Sequence, residues 1–258
     1  MRCYGLRAAL LAALLCAALV AIASVWLGLV GAAVVSALIV ALGWITYFHS
    51  ERAVLTALRA RQVGEVERPE LHRLVRDLAR SARLPMPRLF VSPAAQPNIL
   101  TVGYGPRSAA VCCTEGLLAE LSPAELRAVL AHELAHVTRR DVVVSSSSAG
   151  LASLVAICPL TALLLLQIAS PPAREYGADI EGALLTGEPL ALASALRKID
   201  GSSATLPRRG PLAAASHLMI ACPFPARGLG RLLRSHPPTG ERVRRLEGLA
   251  GVAGTSPR

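Results

Sequence analysis

A block of 41 consecutive residues without a charged side chain, from Ala8 to Phe48, constrains this chain more than any other feature. About 20 apolar residues are enough for one helix to cross a bilayer, so the block is long enough for two crossings. Gly28 and Gly31 lie near its middle, where a tight turn needs small residues. The sequence therefore predicts a transmembrane helical hairpin over residues 1–50, with the lipid bilayer as one partner of the chain.

Arginines stand on both sides of this block. They are Arg2, Arg7, Arg52, Arg59 and Arg61. Because cytoplasmic loops of membrane proteins accumulate positive charge, both ends of the hairpin are expected in the cytoplasm. The chain is then a multi-pass protein of the inner (cytoplasmic) membrane, and residues 51–258 form a domain that faces the cytoplasm. The alternative is a signal peptide cleaved after Ala23, which leaves about 25 further apolar residues unexplained.

The composition argues against a nucleic-acid partner. The formal net charge is +10, Lys198 is the only lysine, and the arginines are scattered along the chain. Surfaces that bind nucleic acids combine clustered basic residues with aromatic rings that stack on bases, whereas only 3% of these residues are aromatic. A hydrophobic content of 53% favours a membrane protein instead.

Downstream of the hairpin, hydrophobic periodicity and turn residues predict helices around a small sheet. The predicted helices cover 69–84 and 240–249, and the predicted strands cover 88–92, 98–102 and 108–114. The stretch 201–230, rich in Pro, Gly, Ser and Arg, is expected to be irregular. The predicted fold class is therefore mainly α with a small β-sheet, in which an α+β domain follows the membrane hairpin.

A further helix is predicted to begin at Ser122, which stands before a proline and three residues before Glu125, as in a capping box. This helix contains the sequence HELAH, with His132, Glu133 and His136. Histidines four residues apart lie on one face of a helix, so both imidazoles can reach one ion. The spacing suits zinc, and Glu133 is placed to act as general base on a metal-activated water.

A third ligand is available downstream in the sequence REYGAD. Glu175 and Asp179 share a helical face at i, i+4, so Glu175 can bind the metal while Asp179 orients a ligand histidine. The alternative for these two residues is a surface helix with unconnected carboxylates. Asp141, which follows the HELAH helix, is also expected to help orient the site.

Three motifs together resemble the HtpX family of membrane-bound zinc metallopeptidases, whose relatives include the CAAX prenyl proteases. They are HELAHVTRRD, REYGAD and HPPTGERVRRL, and the similarity extends from about Gly64 to Leu246. The resemblance implies an α+β HExxH zinc metallopeptidase domain with one Zn²⁺ per chain, bound by His132, His136 and Glu175. It also implies an endopeptidase, with Glu133 as its base, that cleaves misfolded or damaged membrane proteins in a stress response.

The resemblance motivates two further assignments. His236 is expected as a catalytic residue that stabilises the oxyanion or contacts substrate, although a histidine beside prolines can equally be a packing or capping residue. Asn98 is expected to bind substrate. The family's Asn-Ala-Phe segment is Asn-Ile-Leu here, which keeps an apolar strand without the phenylalanine.

The interval between His136 and Glu175 constrains how the site can form. It is 38 residues long (137 to 174), and its part 142–170 is apolar enough for one membrane crossing. A single crossing would put Glu175 on the opposite side of the bilayer from His136. A shared metal therefore requires a hairpin over 142–170 that returns the chain; the alternative is a true third span with an inactive metal site.

Two other functions remain compatible with the motifs. A prenyl-protein peptidase would need many more membrane spans than this sequence contains. A non-catalytic membrane scaffold with a relic metal site would purify without stoichiometric zinc.

Overall fold

The computed structural model describes residues 3–139, 141, 172–203, 219–220 and 236–254. Two predictions lie largely outside these residues. They are the apolar hairpin at 142–170 and the irregular stretch 201–230.

The described residues form seven α-helices and four strands, so the prediction of a mainly helical fold with a small sheet is confirmed. The helices are α1 (Cys3–Ala57), α2 (Pro69–Ser81), α3 (Glu115–Glu120), α4 (Pro123–Thr138), α5 (Pro172–Thr186), α6 (Pro189–Ser203) and α7 (Thr239–Gly254). The strands are β1 (Arg61–Gln62), β2 (Arg88–Ser92), β3 (Ile99–Val102) and β4 (Ala110–Thr114).

Helix α1 contains the apolar block and bends at Gly28, whose φ of 66° and ψ of −165° are not helical. A positive φ is open to glycine because it has no Cβ to clash with the backbone. Within the described residues, one helical stretch, Cys16–Ile45, is long and apolar enough to cross a membrane. Its large side chains are exposed, with Trp26 at 82% and Leu29 at 89%. The hairpin over residues 1–50 remains a prediction.

The sheet has the strand order β1-β2-β4-β3. β2 and β4 are parallel, whereas β1 and β3 are antiparallel to their neighbours. β3 lies at one edge, where Met219 forms an isolated bridge with Leu100 and the Ile220 amide donates to the Ile99 carbonyl at 3.1 Å. All three predicted strands are found, and β1 was missed because two residues carry no periodic signal.

Successive strand residues point to opposite faces of the sheet. On one face, Ile99, Val111 and Cys113 join the main hydrophobic core with α2, α4, α5 and α6. On the other face, Leu100 and Cys112 pack with the end of α1. Helix α4 lies inside the main core and is buried on nearly all sides, which explains why its apolar residues do not follow one stripe.

The observed helix boundaries agree with some of the predicted ones and differ from others. Ser122 and Glu125 form the predicted capping box at the start of α4. Helix α2 ends at Ser81, three residues before the predicted end, and Arg83 then adopts a positive φ of 55°. Helices α3 and α6 were not predicted. Thr114 caps α3 by accepting a hydrogen bond from the Leu117 amide.

Glu125 links the start of α4 to α6. Its carboxylate accepts hydrogen bonds from the Ser122 amide (2.8 Å), the Ser194 hydroxyl (2.7 Å) and the Lys198 ammonium (2.7 Å). Burial raises the pKa of Glu125, but Lys198, Ser194 and Ser122 together lower it from 4.5 to about 2. The only lysine in the chain therefore holds two core helices together through one carboxylate.

We expect Glu125→Gln to lower the free energy of unfolding at pH 7 by about 1 to 2 kcal/mol. The substitution removes the negative charge that accepts hydrogen bonds from the Lys198 ammonium and the Ser122 amide. The folded pKa is depressed, so this contribution is present above pH 4.5 and is lost as the pH falls toward about 2. Thermal and urea unfolding of the detergent-solubilised chain at several pH values measure both effects.

Glu65→Gln is the matched control, because Glu65 pairs with Arg76 on the exposed surface of the protein. Its effect should stay within about 0.5 kcal/mol. Equal effects of the two substitutions would contradict the assigned role of Glu125.

Candidate metal centre

Helix α4 carries three chemically active side chains into the protein interior. His132 and Glu133 are 1% and 3% exposed, and His136 is half-buried. The Nε2 atoms of His132 and His136 lie 3.2 Å apart, as expected for residues one helical turn apart that face one point. The predicted helical face therefore exists and points inward.

Helix α5 adds Glu175 to the two histidines. Glu175 Oε1 lies 3.4 Å from His136 Nε2, and Oε2 lies 3.8 Å from His132 Nε2. The close approach of α5 to α4 depends on Gly182, where a Cβ would lie 2.9 Å from the Cα and N of His132. The structure therefore brings Glu175 beside both histidines despite the 38 residues between His136 and Glu175.

These three residues fit a metal ion. One donor atom from each lies within 4.8 Å of the others. Zinc bound tetrahedrally at 2.0–2.1 Å separates its ligand atoms by about 3.3 Å, close to the spacings of 3.2, 3.4 and 3.8 Å observed here. Two imidazole nitrogens and one carboxylate oxygen are also a donor set that zinc prefers.

Charge balance at the centre favours the same conclusion. Four buried carboxyl groups, those of Glu133, Asp141, Glu175 and Asp179, lie around it, whereas Arg242 is the one buried arginine or lysine among the described residues. Unpaired buried charges are costly, and a divalent cation held by His132, His136 and Glu175 would offset part of this negative charge.

Asp179 contacts the Nδ1 side of the His132 ring, and Arg242 in turn contacts Asp179. Asp179 Oδ1 lies 3.0 Å from His132 Nδ1, the arrangement that fixes the orientation of a ligand histidine. Arg242 donates to both oxygens of Asp179, at 2.7 and 2.8 Å, and its Nη2 also lies 3.4 Å from His132 Nε2. Burial raises the pKa of Asp179, but Arg242 and His132 lower it to about 2.

Asp141 has the corresponding position behind His136. Its Oδ2 lies 3.4 Å from His136 Nδ1, and it pairs with Arg139 and Arg174, each at 3.2 Å. Burial raises the pKa of Asp141, but His136 and the two arginines lower it below its usual value. Each histidine of the pair thus has a carboxylate beside Nδ1, and each carboxylate has at least one arginine.

The remaining predicted site residues lie in different surroundings. His236 belongs to the cluster, because its Nδ1 lies 2.9 Å from Glu175 Oε2. Asn98 is buried just before β3. Its backbone N–H donates a hydrogen bond to Thr114 Oγ1, and its side-chain oxygen accepts one from the Ile99 backbone N–H, both at 2.9 Å. These hydrogen bonds tie Asn98 to the sheet.

Two contributors were missed by the sequence reasoning. Arg242 lies in the quoted motif HPPTGERVRRL, but its helix was interpreted only as charged. The signal was its i, i+4 relation to Leu246, which put it on the buried face of α7. Thr101 donates a hydrogen bond to Glu133 at 2.7 Å, and its position in a short apolar strand gave no sign of this contact.

A family model described as peptidase family M48 matches residues 65–172 and 147–250, more than half of the chain. The chain belongs to peptidase family M48. A protein of Kineococcus radiotolerans named Protease HtpX homolog is 44% identical to this M48 peptidase, over 80% of this chain and 82% of that protein. A protein of the same name from Bifidobacterium longum is 37% identical, over 87% and 84% of the two chains.

These relatives confirm the resemblance to the HtpX family, and the M48 peptidase is a metalloprotease that hydrolyses peptide bonds. Peptidases of family M48 are zinc-dependent in general. The crystal structure of S. mikatae Ste24p aligns with 86% of this chain at 18% identity and a TM-score of 0.45. This chain covers 57% of that protein, which is less than two thirds of its length.

Removing the guanidinium of Arg242 should weaken metal binding. We expect Arg242→Met to lower zinc affinity about 10- to 100-fold, because Asp179 loses the partner that holds it against His132. Competition of the purified chain with a chelator of known affinity measures this. Arg242→Lys keeps the charge but not the bidentate hydrogen bond. Its zinc affinity should lie between those of the unsubstituted chain and Arg242→Met.

Arg244→Met is the control, because Arg244 lies exposed on the same helix. It should bind zinc as the unsubstituted chain does. Unchanged zinc affinity in both Arg242 variants would show that the contact with Asp179 does not support the metal centre.

Proposed function

We propose that this M48 peptidase is a membrane-anchored zinc endopeptidase that binds one Zn²⁺ through His132, His136 and Glu175. The observation that carries the proposal is the convergence of these donor atoms within 4.8 Å, beside the buried carboxylate of Glu133. A relic site in a scaffold protein would have no need to keep four such side chains together in the core, where each requires compensation.

In the proposed mechanism Glu133 is the general base. A zinc ion held by His132, His136 and Glu175 would polarise the substrate carbonyl and lower the pKa of a bound water molecule to about 7. Glu133 takes a proton from the attacking water and passes it to the leaving amine. Its burial supports this role, because a carboxylate shielded from bulk water exchanges its proton with the reacting groups instead of with solvent.

His236 is proposed to stabilise the oxyanion or to contact substrate. Its position 2.9 Å from Glu175 Oε2 supports a role inside the centre instead of on the surface. Asp179 and Asp141 are proposed to hold the Nδ1 sides of His132 and His136, so that Nε2 of each ring remains directed at the metal.

The substrate is proposed to bind as an extended strand at the edge of the sheet, beside α4. Strand addition engages the peptide backbone and places few demands on sequence, which suits a protease of damaged proteins. Met219 already pairs with Leu100 on β3, so a substrate strand would lie outside that pair or displace it. Asn98, just before β3, is proposed to support this substrate edge through its hydrogen bonds to Ile99 and Thr114.

The membrane is proposed as the place of action. Exposed apolar side chains along Cys16–Ile45 support insertion of α1 into a bilayer, and the bend at Gly28 supports two crossings with both ends in the cytoplasm. We propose the inner membrane as the location, a catalytic domain on the cytoplasmic side, and misfolded or damaged membrane proteins as substrates in quality control.

Glu133→Gln should retain zinc and lose peptide cleavage, because the amide cannot take the proton from water. We expect a loss of at least 100-fold in kcat with one zinc per chain still bound. Cleavage of an unfolded protein substrate and metal analysis of the same purified sample measure the two properties.

Glu70→Gln, on the exposed face of α2, is the control and should be fully active. Normal proteolysis by Glu133→Gln would refute the role of Glu133. A chain that purifies without zinc, and is indifferent to chelators, would favour the scaffold alternative.

Reporter fusions test the hairpin. An alkaline phosphatase reporter, active only outside the cytoplasm, should be active when fused after Gly28 and inactive when fused after Gly64. A fluorescent reporter that folds only in the cytoplasm should give the opposite pattern. Activity of the phosphatase at Gly64 would mean that α1 crosses the membrane once.

A further inference from the structure

Thr101 contacts Glu133 from a different part of the fold. Its Oγ1 donates a hydrogen bond to Glu133 Oε2 at 2.7 Å, and both residues are buried, at 5% and 3% exposure. The two positions are 32 residues apart, one on edge strand β3 and the other on α4. The contact is therefore a product of the packing of the sheet against α4.

The register of the sheet places this hydroxyl. Thr101 pairs with Val111, and it alternates with Leu100 and Val102, which pack on the opposite face. Thr101 thus shares the face that packs on α4 with the apolar side chains of Ile99, Val111 and Cys113. On that face, among the residues of β2, β3 and β4, Thr101 alone carries a hydroxyl.

A hydroxyl in such surroundings needs a specific partner. A buried hydroxyl without a hydrogen bond is unfavourable, and valine has the same shape without that penalty. The partner that Thr101 meets is the carboxylate proposed as general base. The terminal torsion of a glutamate is broad, so the orientation of this carboxylate must be fixed by its neighbours.

We propose that Thr101 is a positioning residue for Glu133. Its hydroxyl holds Oε2 and so fixes the plane of the carboxylate, which leaves Oε1 to receive the proton from water. This inference rests on the proposed function, because it assigns Thr101 a part in the step that Glu133 performs. The hydroxyl touches neither the metal ligands nor the peptide in this role, so its effect is on kcat and not on zinc binding.

The test is Thr101→Val, which keeps the shape and the β-branching of the side chain. We expect kcat to fall about 10- to 100-fold, because misplaced catalytic groups lose rate, while KM and zinc content stay unchanged. Thr101→Ser returns the hydroxyl and should restore kcat to within about threefold of the unsubstituted chain. Thr186→Val is the control, because that hydroxyl bonds its own helix at the Gly182 carbonyl and should not affect kcat.

A second measurement detects the contact without catalysis. In the metal-free full chain, Thr101→Val should lower Tm by about 2 to 4 °C, because Glu133 loses a hydrogen bond. In a Glu133→Ala background the same substitution should not lower Tm and should raise it slightly, because the buried hydroxyl has then lost its partner and valine needs none. Equal Tm shifts in the two backgrounds would show that Thr101 stabilises the strand alone, and would overturn the proposal.

The outcomes separate this inference from the proposed function. If Glu133→Gln is inactive but Thr101→Val keeps full kcat, the proposed function stands and the inference is wrong. If the unsubstituted chain has no zinc-dependent cleavage, the proposed function fails and the inference falls with it. A loss of kcat in Thr101→Val that Thr101→Ser does not repair also overturns the inference.

Discussion

Three buried carboxyl groups lie close to Arg242, which carries the one buried guanidinium among the described residues, and the described helices pack so as to accommodate them. Glu133, Glu175 and Asp179 lie on two different helices, yet all are within the same small volume as Arg242. Such a cluster persists only where each charge has a partner, since isolated buried charges are strongly unfavourable. The guanidinium donates two hydrogen bonds to Asp179, the Thr101 hydroxyl donates one to Glu133, and His236 Nδ1 lies 2.9 Å from Glu175 Oε2.

The fold meets this requirement by close packing of α4 against α5 and against the sheet. Helix α4 is buried on nearly all sides, so its polar residues at 132 and 133 can only face other protein groups. Gly182 removes the side chain that would hold α5 away from His132. The sheet contributes Thr101 from the opposite direction. The catalytic chemistry of the M48 family thus depends here on backbone proximity that apolar packing provides.

Much of the candidate metal centre could be predicted from the sequence, because the sequence signals for its helices and side chains are local. The capping box of Ser122 and Glu125 predicts the start of the helix. The i, i+4 spacing of His132 and His136 places both histidines on one face of it. Glu175 and Asp179 were found by the same spacing. The exact ends of α2 and the presence of α6 were not predictable in this way, since α6 has few turn signals and its place is set by Glu125, Ser194 and the core.

By itself, the sequence determined the apolar N-terminal block, the elements around the site and the residues able to bind a metal, because each depends on neighbours within a few positions. Only the tertiary structure decided that Glu175 lies beside His136, that Arg242 is buried against Asp179, and that Thr101 meets Glu133. These contacts join residues that are 32 to 63 positions apart. No local pattern encodes them, because the energy that forms them comes from burying apolar surface throughout the core, and the polar contacts are placed as a result.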